Sequence, residues 1–471
     1  VLQVWKLGVC STNTYVFLSI WALNRVMSSQ VVGRRAGADW ASIVLGLGLG
    51  LTVAMYVETT TEADWNSFYA SVTSVSRIAA LVGSYLALVG LVLVSRISWV
   101  ESSVGHDRLV LWHRKLGPYS LYLITAHVLF VILGYAGAEQ VPLAVELWRM
   151  ALRFPWMLPA VIAFLFFAAA GITSYKKARA KMSYETWWTI HLYTYLAIAL
   201  SFMHQILTGP MFIGHPLNKA YWEFLYIYAA AIIVIWRFVI PTGRSLRHNL
   251  RIEQIVSEGP GVTSIIMKGR KLDKLNAQGG QFFGWRFMQK GQWWISHPYS
   301  LSAAPTDQYL RVTVKELGDH SRMVKNLNPG ARVFFEGPYG TFVASKASKG
   351  HIVLVGGGVG ITPLRALLEE FDQSKSIDVL FRASKEEDLV LRKELDSLAD
   401  ARGARVHYLV GSRKVHTMDA EYISTFVPAF ADSDVYVCGP TPLVEAVREA
   451  CKDAGIPKNR FHEEAFEFHA V

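Results

Sequence analysis

Residues 112–135 read WHRKLGPYSLYLITAHVLFVILGY, and residues 187–207 read WWTIHLYTYLAIALSFMHQIL. Both runs reach the ~20 residues a helix needs to cross the hydrocarbon core of a bilayer. Each carries two histidines, His113 and His127 on the first and His191 and His204 on the second. The spacings of fourteen and thirteen residues separate the members of each pair by ~20 Å along the axis. A histidine in lipid is costly without a partner. Four of them, paired by level on two helices, point to ligation, because neutral imidazole is a good iron ligand. Two stacked bis-histidine sites, His113 with His191 and His127 with His204, would hold two b-type haems. Fourteen residues is close to four turns, whereas thirteen leaves the second imidazole ~140° round an ideal helix. The second run is therefore expected to be irregular, or the two haems rotated relative to each other.

Working outward, six segments are long and apolar enough to span, at roughly 40–57, 73–95, 112–135, 155–173, 187–207 and 222–240. Thr14–Val26 is too short alone and reads as interfacial or as part of a seventh span. Basic residues gather in alternate loops: Arg34 and Arg35; Arg96, Arg108, Arg114 and Lys115; Lys176, Lys177, Arg179 and Lys181; Arg244, Arg247 and Arg251. The positive-inside rule puts those loops, and everything after residue 241, in the cytoplasm. The expectation is an integral protein of the plasma (cytoplasmic) membrane. The third and fifth spans then run in the same direction, which is what lets their histidines meet level by level. His106 and His215 fall in loops. Arg77, at the outer end of the second span near the level of His127, would suit a haem propionate or an anionic oxygen species, or would snorkel to the interface.

The composition agrees with this division. The 471 residues include 47 Lys+Arg and 37 Asp+Glu, a net charge of +10, yet only 18% are charged, against ~25% for soluble domains. Residues 1–240 hold only 17 basic and 10 acidic side chains but 12 of the 15 tryptophans, which excludes a single soluble domain. Three cysteines without a CxxC exclude a disulfide framework, a zinc ribbon and an iron–sulfur cluster. The basic excess sits at span ends rather than in aromatic-interleaved runs, so no nucleic-acid partner is expected. No stretch reads as a cleavable signal peptide.

The second half alternates differently. Arg251–Val256, Thr263–Lys268, Leu310–Lys315 and Arg332–Glu336 have the pattern of barrel strands. An apolar strand then runs from His351 into Gly356-Gly-Gly-Val-Gly-Ile-Thr-Pro363, followed by a helix over Leu364–Phe371. Strands at Ile377–Phe381, Arg405–Val410 and Asp434–Val437 with helices between them give a parallel α/β nucleotide-binding layout. A strand ending in glycines lets a pyrophosphate approach the backbone and the next helix N-terminus, and Pro363 suits that helix's first turn.

His297-Pro-Tyr-Ser-Leu-Ser-Ala-Ala-Pro305, Gly318-Asp-His-Ser321, Gly337-Pro-Tyr-Gly340, the glycine run and Cys438-Gly-Pro440 occur in that order. Together they resemble the ferredoxin–NADP reductase type of flavin dehydrogenase. Joined to the four-histidine bundle, the chain resembles the ferric reductase / NADPH oxidase superfamily over about residues 40–471, as a bacterial-like member without a calcium-binding loop. The resemblance implies a membrane α-helical bundle, a β-barrel FAD domain and an α/β Rossmann-like NADPH domain. The expected boundaries are 1–36 for an N-terminal segment, 37–241, 242–345 and 346–471.

It also implies roles. Tyr299, after Pro298, would stack on the flavin ring, and Ser300 would bond near its hydride-accepting nitrogen. His297, Lys315 and the turn from Gly318 to Ser321, with Gly337 and Pro338, would hold the FAD phosphates or linker. Many relatives have Arg where His297 stands. Gly356, Gly358, Val359, Gly360 and Pro363 would receive the dinucleotide pyrophosphate, with Thr362 donating to it or to the nicotinamide. Cys438, Gly439 and Pro440 would sit beside the nicotinamide. Arg382, with Ser384, Lys385 and Arg413 nearby, would bind a 2′-phosphate, which favours NADPH over NADH. Phe466, or else Phe468, would cover the flavin. The implied activity carries electrons from NADPH through FAD and two haems to an acceptor outside, dioxygen before a ferric chelate. A haem-binding redox sensor or transport protein is the alternative of another class. No obligatory protein partner is evident.

Overall fold

The structure is a computed structural model and describes residues 36–465. Arg34, Arg35, the Thr14–Val26 segment, Phe466 and Phe468 lie outside the described residues. Among the described residues, six helices are long and apolar enough to cross a membrane: α1 (Ala36–Thr59), α2 (Phe68–Leu93), α3 (His106–Glu139), α4 (Met157–Ser174), α5 (Tyr184–Thr208) and α6 (Pro216–Val234). Ser67 and Ser183 cap α2 and α5 by accepting from Ala70 N and Thr186 N, and Pro216 opens α6, where a missing N–H is harmless. Large apolar side chains such as Leu47, Leu51, Leu165, Phe224 and Ile227 face outward, as a lipid-facing surface requires.

Two expectations are corrected here, and the either/or for α5 is narrowed to rotated haems. α3 begins at His106, so that residue opens a helix rather than sitting in a loop. α5 is unbroken, so the thirteen-residue spacing is not absorbed by an irregular helix. α6 does not stop near residue 240. It passes through one π-helical turn (Ile235–Val239) into α7 (Ile240–His248) and leads directly into the barrel. The expected boundary at 241 thus falls inside a helical rod.

The barrel has two three-stranded antiparallel sheets. One is ordered β1 (Arg251–Gly259), β2 (Val262–Lys268), β5 (Tyr309–Lys315). The other is β4 (His297–Ser300), β3 (Phe282–Phe287), β6 (Val333–Tyr339). Bridges Arg251–Arg332 and Leu301–Val312 join the sheets around Ile252, Ile265, Met267, Phe283, Trp285, Val312 and Phe335. The sequence reading passed over β3 and β4. The short β4 contains Pro298, which an edge strand tolerates because its N–H side need not pair.

The last unit is a five-stranded parallel sheet ordered β11-β10-β7-β8-β9: β7 (His351–Gly357), β8 (Ser376–Ala383), β9 (Arg405–Val410), β10 (Asp434–Gly439) and β11 (Phe461–Ala465). Helix α8 (Ile361–Glu370) starts three residues before the expected Leu364. Phe461–Ala465, for which no strand is expected from the sequence, forms β11, paired in parallel with β10.

The rod docks on the barrel through α7 and β6. Ser245 Oγ bonds both Phe335 N and O, and Arg244 donates to Gly337 O. Arg237 and Arg286 share the buried carboxylate of Glu336 at 3.1 and 2.8 Å. From the loop after α2, Arg96 lies 4.5 Å over the Tyr339 ring. This is the barrel end of the bundle, and the 175–183 loop with Lys176, Lys177, Arg179 and Lys181 lies between α4 and α5 on the same side.

Candidate functional site

In the bundle, α2 packs closely on α3 and α4 on α5, while α3 and α5 make few close backbone approaches. The four histidines project into the space between α3 and α5. At the barrel end the His113 and His191 ring centres are 6.0 Å apart with planes at 80°. An iron held by two imidazoles, each bond ~2 Å long with the ring centre ~1 Å further on, needs about 6 Å. At the far end His127 and His204 occupy the corresponding positions on the same two helices. His113 Nδ1 meets Gly90 O at 3.1 Å, and His127 Nδ1 meets Ser76 O at 3.1 Å and Ser76 Oγ at 2.9 Å. A carbonyl can only accept, so Nδ1 carries the proton in both rings and Nε2 keeps its lone pair for a metal. His191 and His204 have buried Nδ1 atoms with no hydrogen-bond partner among the described residues. The donor set fits two bis-histidine irons.

Residues the sequence reading missed stand around this set. Ser76, Gly83 and Gly90 on α2 recur every seven residues, as do His113, Ser120 and His127 on α3, and Ser120 Oγ donates to Gly83 O at 2.7 Å. That heptad was visible in the sequence. Trp187, one turn before His191, stacks on it at 5.2 Å and 23°, with Arg179 4.9 Å over the indole. Arg77 does not present a free cation to the far-end histidines. It pairs with Asp64 at 2.5 Å, a residue of the α1–α2 loop, so a propionate or anionic partner there would share its charge with that carboxylate.

In the parallel sheet the chain order reverses between β7 and β10, so a crevice opens at their C-terminal ends, where dinucleotides bind in open α/β sheets. The Gly356–Pro363 run and Cys438-Gly439-Pro440 meet there. A Cβ on Gly360 would lie 2.3 Å from Cys438 O, so only glycine lets the loop cross the strand end. Gly358 takes a φ of +55°, which also favours glycine. Cys438 is fully buried, and burial holds its thiol protonated, well above the ordinary range. Two expected ligand donors are already engaged. Thr362 Oγ1 donates to Val359 O at 2.9 Å. The Arg382 guanidinium donates to the carbonyls of Ala383, Leu409 and Gly411, tying β8 to β9. Lys385 pairs with Glu387. Ser384 and Arg413 are exposed beside each other's strand ends, and Arg413 has no ion pair among the described residues.

In the barrel, Phe287, His297 and Tyr299 form a run of near-parallel rings, with His297 and Tyr299 5.7 Å apart at 7°. Trp285 Nε1 donates to Tyr299 O at 2.9 Å, fixing β4, and Ser300 is buried at its end. Ser321 Oγ accepts from Leu317 N and Gly318 N and donates to Gly318 O, so the expected phosphate turn is closed on itself. Lys315 bridges to Asp388 of the α/β unit at 3.2 Å. Further bonds, Arg311 to Glu394, Arg365 to Ser302 O and Ala304 N to Glu369, lock the two units together with β4 and the glycine loop brought to one interface.

Residues 79–202 match the family described as ferric reductase like transmembrane component, 254–343 an FAD-binding domain and 354–449 an oxidoreductase NAD-binding domain. Among characterised proteins, the chain is similar to the glycine betaine monooxygenase reductase subunit of Chromohalobacter salexigens, 25% identical over 239 residues, 47% of this chain and 64% of that one. It is also similar to the ferredoxin reductase component of 3-ketosteroid-9-alpha-monooxygenase of Mycolicibacterium smegmatis, 28% identical over 46% of this chain and 65% of that one. The chain thus spans just under two thirds of these relatives' length. Among solved structures, the FAD/NAD-binding domain of nitric oxide dioxygenase from Vibrio cholerae O1 biovar El Tor aligns with 22% identity and a TM-score of 0.40, over 47% of this chain and 99% of that one. The chain therefore joins a ferric-reductase-like transmembrane component to an FAD-binding and an NAD-binding domain, with six helices long and apolar enough to cross a membrane among the described residues.

Proposed function

We propose, for a chain with the ferric reductase and NADPH oxidase type of architecture, that it carries electrons from cytoplasmic NADPH across the plasma membrane to dioxygen, giving superoxide. The observation that carries this reading is the His113–His191 pair at 6.0 Å, set between helices that do not pack on each other. FAD, held at Tyr299 and Ser300, would supply the conversion of a two-electron hydride into single electrons, and haems held by His113 with His191 and by His127 with His204 would supply one-electron relay through the bilayer. The chain's own residues do the rest. Gly358 leaves open space for the pyrophosphate, Gly356 and Gly360 let the loop pack against the following helix and the end of β10, and the buried, neutral Cys438 backs the nicotinamide position. Tyr299 and Ser300 orient the flavin at the barrel end, and the α2–α3 contact holds His113 and His127. Basic loops at the barrel end support a cytoplasmic dehydrogenase half. A ferric chelate is the second reading, favoured by the match of residues 79–202 to a ferric-reductase-like component.

The test uses purified full-length protein. Two low-spin b-type haems per chain are expected. His127→Ala or His204→Ala should remove the far-end haem, and His113→Ala or His191→Ala should damage assembly and reduction. NADPH should reduce both haems without oxygen, and stopped-flow mixing should show faster reoxidation by oxygen than by a bulky ferric chelate. The reverse order makes the protein a ferric reductase. Haem that NADPH never reduces returns it to a sensor or transport protein.

A further inference from the structure

Helices α2 and α3 are antiparallel and meet along a ladder with a rung every seventh residue. Gly90 O pairs with His113 Nδ1, Gly83 O with Ser120 Oγ, and Ser76 O and Oγ with His127 Nδ1. Ser76 Oγ also donates to His127 O at 3.2 Å. One heptad further the backbones still touch, since a Cβ on Gly134 would lie 3.0 Å from Tyr69 O. Seven residues is two turns with only ~20° of drift, so one seam persists over several rungs. Small residues at the seam allow the close approach. A carbonyl that already accepts its own helical N–H has a second lone pair for the rung. α5 offers nothing comparable, because the Nδ1 atoms of His191 and His204 are unpartnered among the described residues.

We infer that α2 is a positioning scaffold for the α3 haem ligands, fixing the tautomer and ring plane of His113 and His127 and lowering the reduction potential of the haem each would hold. The inference rests on the bis-histidine reading above. A ring that donates its outer N–H to a carbonyl is a more basic ligand and favours the oxidised metal. Ser76 acts on the far-end site alone, because its hydroxyl reaches only His127. Gly83 acts on both, because it sets the separation of the helices between them. A Cβ there would lie 3.0–3.2 Å from Ile124 Cγ1, Leu123 Cβ and Ile124 N.

The experiment is a potentiometric titration of both haems in the purified full chain, with haem content and the low-spin ferric resonance signals measured alongside. Ser76→Ala keeps the Ser76 carbonyl and removes the hydroxyl. It should leave two haems per chain and shift the far-end couple about tenfold towards the reduced form, ~59 mV for one electron. Ser76→Thr, which restores an oxygen, should return the wild-type value, and the barrel-end couple should stay put in both. Gly83→Ala should raise both couples together, while Gly46→Ala, whose Cβ would meet nothing within 4 Å, should raise neither. A Ser76→Ala far-end couple identical to wild type, or equal movement of both couples, overturns the scaffold. One haem per wild-type chain, or high-spin iron, overturns the bis-histidine reading instead.

Discussion

Arg413→Ala is expected to weaken the preference for NADPH over NADH, and Arg382→Ala to leave that preference unchanged. Strands β8 and β9 run in parallel, with Ala383 beside Val410 and Gly411 N bonded to Ala383 O. The residues after each strand therefore share the crevice edge where a ribose 2′-substituent would lie. Arg382 stands at that edge, but its guanidinium is held by three backbone carbonyls. To reach a phosphate it would have to abandon all three. Lys385 is matched by Glu387 at 3.2 Å, which leaves Arg413, with Lys414 beside it, as the exposed basic pair after β9 among the described residues. A charge-assisted contact is worth ~1.5–3 kcal/mol. At an exposed edge, where water and salt screen the pair, the low end applies, about tenfold in the ratio of kcat/KM values. The assay is steady-state reduction of a soluble dye by each dinucleotide, which reads the dehydrogenase half without the membrane relay. Arg413→Ala should lower kcat/KM for NADPH about tenfold and leave NADH within a factor of two. Arg382→Ala should harm both alike, since it frees three carbonyls and loosens β8 from β9. A selective loss of NADPH in Arg382→Ala, with Arg413→Ala silent, would refute the argument and return the 2′-phosphate to Arg382.

Gly360→Ala sets a Cβ 2.3 Å from a rigid backbone oxygen, an overpacking of ~1–3 kcal/mol. It should raise KM for either dinucleotide tenfold or more while FAD content stays at wild type, and Gly350→Ala, with open space around it, should do neither. Asp64→Asn releases the Arg77 charge, and because partly exposed pairs are worth ~0–1 kcal/mol, reoxidation by an anionic ferric chelate should quicken only a few-fold with oxygen unchanged; an equal effect on oxygen would give Arg77 a part in oxygen reduction. Asp378 is fully buried, yet its carboxyl is held below the usual range by two Arg405 hydrogen bonds at 2.7 Å, helped by His407 and His351. Because the folded value lies below the unfolded one, its stabilisation is complete above the ordinary carboxylate value of ~4 and is lost as pH falls below it. Asp378→Asn should lower the flavin-release temperature by a few degrees at pH 7, and it should flatten the acid-side fall expected of wild type below pH ~4.

The sequence by itself determined whatever is written as a period or an ordered string. Six apolar runs, the alternating basic loops and the histidine spacings specify a spanning bundle, because lipid thickness and helix rise leave little freedom. The glycine run behind an apolar strand likewise fixes a parallel nucleotide sheet. The sequence also held the seven-residue recurrence of Ser76, Gly83 and Gly90 against His113, Ser120 and His127. Its meaning depended on knowing that α2 and α3 are antiparallel neighbours in that register. Strands β3 and β4 were hidden for a physical reason. β4 is four residues long and carries Pro298, and it is a strand only because β3 pairs with it. β11 depended in the same way on β10. The fate of the polar side chains was least legible. Arg77, Arg382, Thr362, Lys315 and Ser321 are the residue types that would hold an anion. Which of them already has a partner was decided by the folded structure, because a hydrogen bond is a matter of tenths of an ångström, whether the partner is three residues away, as for Ser321 and Thr362, or seventy-three, as for Lys315.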